Sequence, residues 1–177
     1  MHLWHDIIGF HRAVTLKIFG ESVSYHRFCP AEGVYHSMIP YQKSTKNGLS
    51  VDVDWKDARN VKLLDDYGAL YKTEFLPACT IHTHVDISAF ESGTDAKDEE
   101  MQPGWHITLG KLVSSKMYDL DFRMRLPKIP AVTRRMGNTQ AIKIGFKNLF
   151  LDSVTYNEIA ECPGTLGWTH LINRVES

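Results

Sequence analysis

Apolar and charged residues alternate strictly over Tyr118-Asp119-Leu120-Asp121-Phe122-Arg123-Met124-Arg125-Leu126. That period of two predicts a strand with one face on a core and the other toward solvent. Shorter alternations at Val14–Ile18 and Val51–Trp55 predict two further strands, and β-rich stretches at 33–39, 78–84, 105–110 and 141–151 predict four more. Gly104, Gly110 and the Ser114-Ser115 pair punctuate the third quarter, so 105–110 and 118–126 are expected to form a hairpin with a longish loop. The acidic stretch 92–101 opens with a capping pattern and is stopped by Pro103-Gly104, which predicts a helix. Residues 56–73 fit either a helix or irregular chain. Segment 127–140, with Pro127, Pro130 and Gly137, reads as a loop. No repeat or low-complexity tract interrupts the chain. Many strands with a few helices predict an α+β fold with a mostly antiparallel or mixed sheet.

At 177 residues the chain has the length of one domain. Its 43% hydrophobic and 23% charged residues are those of a globular protein and exclude disorder. Twenty basic residues against twenty-one acidic give a net charge of -1, so no overall field favours nucleic acid. The three cysteines, Cys29, Cys79 and Cys162, are odd in number and far apart, which excludes a disulfide framework and a Cys-x-x-Cys site. Reduced thiols, no signal-peptide pattern in MHLWHDIIGFHRA and no apolar run near ~20 residues lead to the expectation of a cytoplasmic protein without a membrane partner.

The chemistry concentrates in Ile81-His82-Thr83-His84-Val85-Asp86-Ile87-Ser88-Ala89-Phe90-Glu91-Ser92-Gly93-Thr94-Asp95. Residues two apart on a strand face the same way, so His82 and His84 project together at the end of strand 78–84. Asp95 follows eleven residues after His84, in the first turn of the acidic helix. Two imidazoles and a carboxylate make three metal ligands with a fourth position open, the arrangement of catalytic zinc. Taken alone, a His-x-His pair is more often two unrelated histidines, and Ser92 with Asp95 is a capping box. Together they read His-x-His-x7-Ser-x-x-Asp, a match expected by chance in roughly one in a thousand chains of this length. The metallo-β-lactamase signature fails here, because Ile87 stands where a histidine is required. A (β/α)8 amidohydrolase barrel is excluded by length, since about 250 residues are typical. Of the other histidines, His106 is expected to be structural or a neighbour of the ligands. His2, His5 and His11 are expected at the surface.

This pattern resembles the JAMM motif of the MPN+ (JAB) family of zinc-dependent isopeptidases, clearly over residues 78–110. The resemblance implies one Zn²⁺ per chain held by His82, His84 and Asp95, with Ser92 stabilising the oxyanion. It also implies a glutamate from an earlier strand as general acid/base. Glu32, in Pro30-Ala31-Glu32 ahead of an apolar strand that could pair beside the zinc strand, fits the family context best; Glu21 is the alternative. The sequence departs from many members in having Val85 where they have proline, and Thr83 where they have serine.

The fold implied is an MPN/JAB-like (cytidine-deaminase-like) mixed sheet flanked by a few helices. A catalytic domain at 1–126 and a β-rich extension of it at 127–177 are expected. The implied activity is hydrolysis of isopeptide or peptide bonds at the C-terminus of ubiquitin or a ubiquitin-like protein, in a bacterial or phage-type member. Partners would be ubiquitin or a ubiquitin-like protein and its conjugates, with E1- or E2-like operon partners. A non-catalytic MPN-like scaffold is the alternative from another class, and a phage structural protein with an incidental motif is a third.

Overall fold

The computed structural model describes residues 2–29, 34–45, 50–70, 78–100, 102–113, 117–127, 139–150 and 168–177. Helix α1 spans His2–Ile18 and helix α2 spans Ala58–Leu70. A six-stranded sheet is built from β1 (Val23–Cys29), β2 (Val34–Met38), β5 (Ala78–Thr83), β6 (Gly104–Gly110), β7 (Met117–Pro127) and β8 (Thr139–Phe150), in the order β2-β1-β5-β6-β7-β8. A smaller sheet holds β4 (Val51–Asp52), β3 (Gln42–Ser44) and β9 (Val175–Glu176), in that order. A 3₁₀ helix, Thr169–Arg174, precedes β9. The fold is α+β with mixed sheets. The expected hairpin of β6 and β7 is present, with Ile107 opposite Phe122.

Helix α1 replaces the strand expected at Val14–Ile18. Five alternating residues sit inside a longer helical period, in which Ile7, Ile8, His11, Val14 and Thr15 are all buried. One face of α1 covers the large sheet. Ile7 and Ile8 pack with Ile81, Ile107, Leu109 and Leu120, while Phe10 and Val14 pack with Ile39 and Val175. The alternation at Val51–Trp55 yields only the two-residue β4, and the ambiguous 56–73 resolves as α2. Most of the loop expected at 127–140 lies outside the described residues.

His11, expected at the surface, is fully buried on the sheet-facing side of α1. Its Nδ1 pairs with Ser22 Oγ at 2.7 Å and its Nε2 with Ser24 Oγ at 2.9 Å. Ser24 also pairs with His26 Nε2, and His26 Nδ1 with Ser37 Oγ, both at 2.8 Å. Four hydroxyl–imidazole contacts thus satisfy both rings in their neutral form. Burial pushes His26 down to about 4, and burial, with His26 and His82 nearby, holds His11 well below its ordinary value. An unfolded histidine takes its proton near pH 6.5, so this cluster stabilises the fold fully above that pH and loses its contribution as pH falls toward 4. His26→Gln, which cannot titrate, should therefore show a shallower fall in Tm between pH 7 and pH 4.5 than wild type, by up to about 1.4 kcal/mol per pH unit. Parallel calorimetric curves for the two proteins would refute this.

The other face of the sheet carries the charged side chains of β7. On β7 the charged residues expected to face solvent are buried: Asp119, Asp121, Arg123 and Arg125 are 2%, 7%, 0% and 9% exposed. The strand is right and its environment is not, because a helix covers that face. The pairing of β5 with β6 is parallel, which demands a crossover, and α3 (Gly93–Glu99) is that crossover helix.

Candidate metal centre

Strand β5 divides its side chains by parity. Ile81 enters the core under α1, and Thr80 and His82 face the opposite cleft. His84 lies just past the strand, but its N–H still donates to Leu109 O at 2.7 Å, so the alternation continues and His84 joins His82. The chain then turns sharply. Val85 has φ 51°, a left-handed conformation that a β-branched residue adopts only under strain. A proline, with φ near −65°, cannot take this turn. The turn is fastened to the end of β6 by Leu112 N–H donating to Val85 O at 3.0 Å and Lys111 N–H to Ile87 O at 2.9 Å. Gly110 permits that approach: a Cβ there would lie 2.4 Å from both Ala89 N and Ile87 O.

The crossover brings Asp95 back over the cleft. Ser92 is the N-cap of α3, accepting from Asp95 N–H at 3.1 Å, while the Asp95 carboxylate accepts from Ser92 N–H at 2.7 Å. The expected capping box is thus present. It aims Asp95 at the two imidazoles. His82 Nε2 and His84 Nε2 are 3.3 Å apart, His82 Nε2 lies 3.4 Å from Asp95 Oδ1, and His84 Nε2 lies 3.4 Å from Asp95 Oδ2. One ligand atom from each of the three side chains lies within 4.8 Å of the others, so they form a group that can hold a metal ion. Burial acts to raise the Asp95 carboxyl, but the hydrogen bonds to His82 and His84 outweigh it and hold Asp95 well below the usual carboxylate range. The carboxylate is ready as an anionic ligand.

Glu21 stands beside this group. The β1–β5 register pairs Val23 with His82, and Thr83 N–H donates to Ser22 O at 3.1 Å. Continued by one residue, it sets Glu21 across from His84 on the same face. Glu21 is 8% exposed and lines the cleft. Burial pushes its carboxyl up to about 7, against a lowering by His84, with Asp95 adding to the rise. The companion candidate Glu32 lies outside the described residues. Strand β2, expected to pair beside β5, pairs instead with β1, which separates the two.

The cleft holds about 550 Å³. Tyr25, Val51, Val53 and Trp55 form one wall, and Ile87 and Phe90 the rim beside His84. Tyr25 and Trp55 meet edge to face at 5.2 Å. Glu21, Asp52, Asp95, Asp98 and Glu99 line the cleft, with no lysine or arginine among the described lining residues. His106 is buried, with its Nε2 2.8 Å from Gln102 O, a structural neighbour as expected. On the α1 side, burial pushes the Cys79 thiol up to about 12, so it is not poised as a nucleophile.

Sequence reasoning missed a buried ionic layer behind α3. Arg123 Nη2 donates to Glu99 Oε1 at 2.5 Å and to Thr108 Oγ1 at 2.9 Å, and its Nη1 to Asp121 Oδ2 at 2.9 Å. Arg125 reaches Glu99 at 3.1 Å and also Glu91. The only signal was four charges on one face of a strand, which by itself reads as solvated. Among the described residues no helix is long and apolar enough to cross a membrane. No protein-family model matches the chain, and no curated protein matches it.

Proposed function

We propose that this protein is a zinc-dependent hydrolase of the JAMM type, with an MPN/JAB-like fold. It would cleave isopeptide or peptide bonds at the C-terminus of ubiquitin or a ubiquitin-like protein. The observation that carries this reading is the convergence of His82 Nε2, His84 Nε2 and the two Asp95 carboxylate oxygens, with contacts of 3.3–3.4 Å, beside a buried glutamate. His82, His84 and Asp95 hold the zinc, which when bound acidifies water and polarises a carbonyl.

The remaining work falls to side chains. Glu21 accepts a proton from the attacking water at its carboxylate and returns it to the departing amine. We assign this role to Glu21 rather than Glu32, because the β1–β5 register carries Glu21 to the ligands. The Ser92 hydroxyl, held at the N-cap of α3, donates to the oxygen of the scissile carbonyl as charge develops there. A substrate tail lies extended along β4, an edge strand beside the cleft, where main-chain pairing holds it. The carboxylate lining, with no lysine or arginine among the described lining residues, favours a tail that carries positive charge.

Purified protein should contain one zinc per chain and release a reporter amine from the C-terminus of a ubiquitin-like protein, with activity removed by chelator and restored by zinc. Ser92→Ala should keep the metal yet lower kcat by about 10²–10³. Zinc without cleavage of any such amide would favour the scaffold reading, and absence of zinc would refute the site.

A further inference from the structure

The helix that delivers Asp95 is tied to one buried guanidinium. Arg123, fully buried on β7, sends Nη2 to Thr108 Oγ1 on β6. The same residue grips Glu99 with Nε and Nη2 at 2.5–3.2 Å. Glu99 follows Asp95 by four residues on α3, so the two share one helix face. Arg125 adds a second hold on Glu99 and takes Glu91, the residue before the Ser92 cap. Helix α3 is therefore clamped at both ends against β7.

The structure assigns Arg123 as a positioning residue of the metal centre, setting Asp95 through Glu99. The assignment rests on the reading that His82, His84 and Asp95 hold a metal. The helix has only seven residues and little rigidity of its own, so its height over the sheet is set by what grips it. The seam between α3 and the sheet is ionic rather than apolar, and guanidinium–carboxylate pairs fix orientation more tightly than apolar contacts. Its arm to Asp121 stays within β7 and supplies a control.

The test uses Zn²⁺ alone, in competition with a chromophoric chelator, and the visible spectrum of the Co²⁺-loaded protein, with Tm recorded alongside. Arg123→Lys keeps the charge but cannot bridge Glu99, Thr108 and Asp121 together. It should weaken zinc by roughly 10–100-fold, the usual loss on removing an outer partner of a ligand, and should alter the Co²⁺ bands. Glu99→Gln should weaken zinc by loosening the hold on α3, and it decides the matter should Arg123→Lys not fold. Asp121→Asn should lower Tm while leaving affinity and spectrum as in wild type. Unaltered affinity in Arg123→Lys and Glu99→Gln would overturn the assignment while leaving the metal site standing, as would equal losses in all three variants. Wild-type protein that binds no zinc would overturn the metal site itself, and this assignment with it.

Discussion

Replacing His82 or Asp95 with alanine is expected to abolish stoichiometric zinc and, with it, all turnover above background. Each side chain supplies one of three donors, and the two that remain cannot hold the ion against water. Metal analysis by plasma mass spectrometry, as zinc per chain, checks this directly. Asp95→Ala also removes the acceptor for Ser92 N–H, so about 1 kcal/mol of helix capping goes with it. Asp95→Asn retains the size of the side chain and separates the two effects. Undiminished zinc in His82→Ala and Asp95→Ala would dismiss these residues as ligands.

Glu21→Gln should retain zinc and lose turnover by roughly 10²–10⁴, the range for a missing general base. The amide keeps the shape and occupies the same place opposite His84 but cannot accept the proton. Its effect on stability should run the other way. Burial makes the ionised Glu21 unfavourable in the fold, with its carboxyl raised to about 7 against an ordinary value of 4.5. Wild type therefore loses stability as pH rises through that interval, and the glutamine variant does not. In metal-free protein at pH 8, Tm of Glu21→Gln should equal or exceed that of wild type. A variant lower in both Tm and zinc would mark Glu21 as structural. Glu32→Gln, assayed on the same conjugate, should stay close to wild type; a dead Glu32→Gln beside an active Glu21→Gln would return the role to Glu32.

Local chemistry determined a good part of this protein from its sequence. Ser92 and Asp95 bracket the start of α3 because a hydroxyl and a carboxylate three residues apart satisfy each other's backbone donors. The alternation of 118–126 specifies β7, and the spacing of His82 and His84 puts both imidazoles on one face. These rules need nothing beyond a few neighbouring residues. The alternation at Val14–Ile18 misled because five residues sample too little of a helical period, and burial of Ile7, Ile8, Phe10, His11, Val14 and Thr15 along α1 outweighs the β preference of Val14 and Thr15.

The rest depends on which distant segments meet. Glu21 faces the metal group only through the β1–β5 register, and a shift of one residue would turn it to the opposite face. Asp95 comes within 3.4 Å of both histidines because the parallel pairing of β5 and β6 demands a crossover, and α3 lies over the cleft as a result. The charges of β7 look solvated in sequence. They are buried because that same helix brings Glu99 down onto Arg123 and Arg125, and only a paired charge is tolerated away from water. Periodicity shows which side chains share a face, and the tertiary fold alone decides what covers that face.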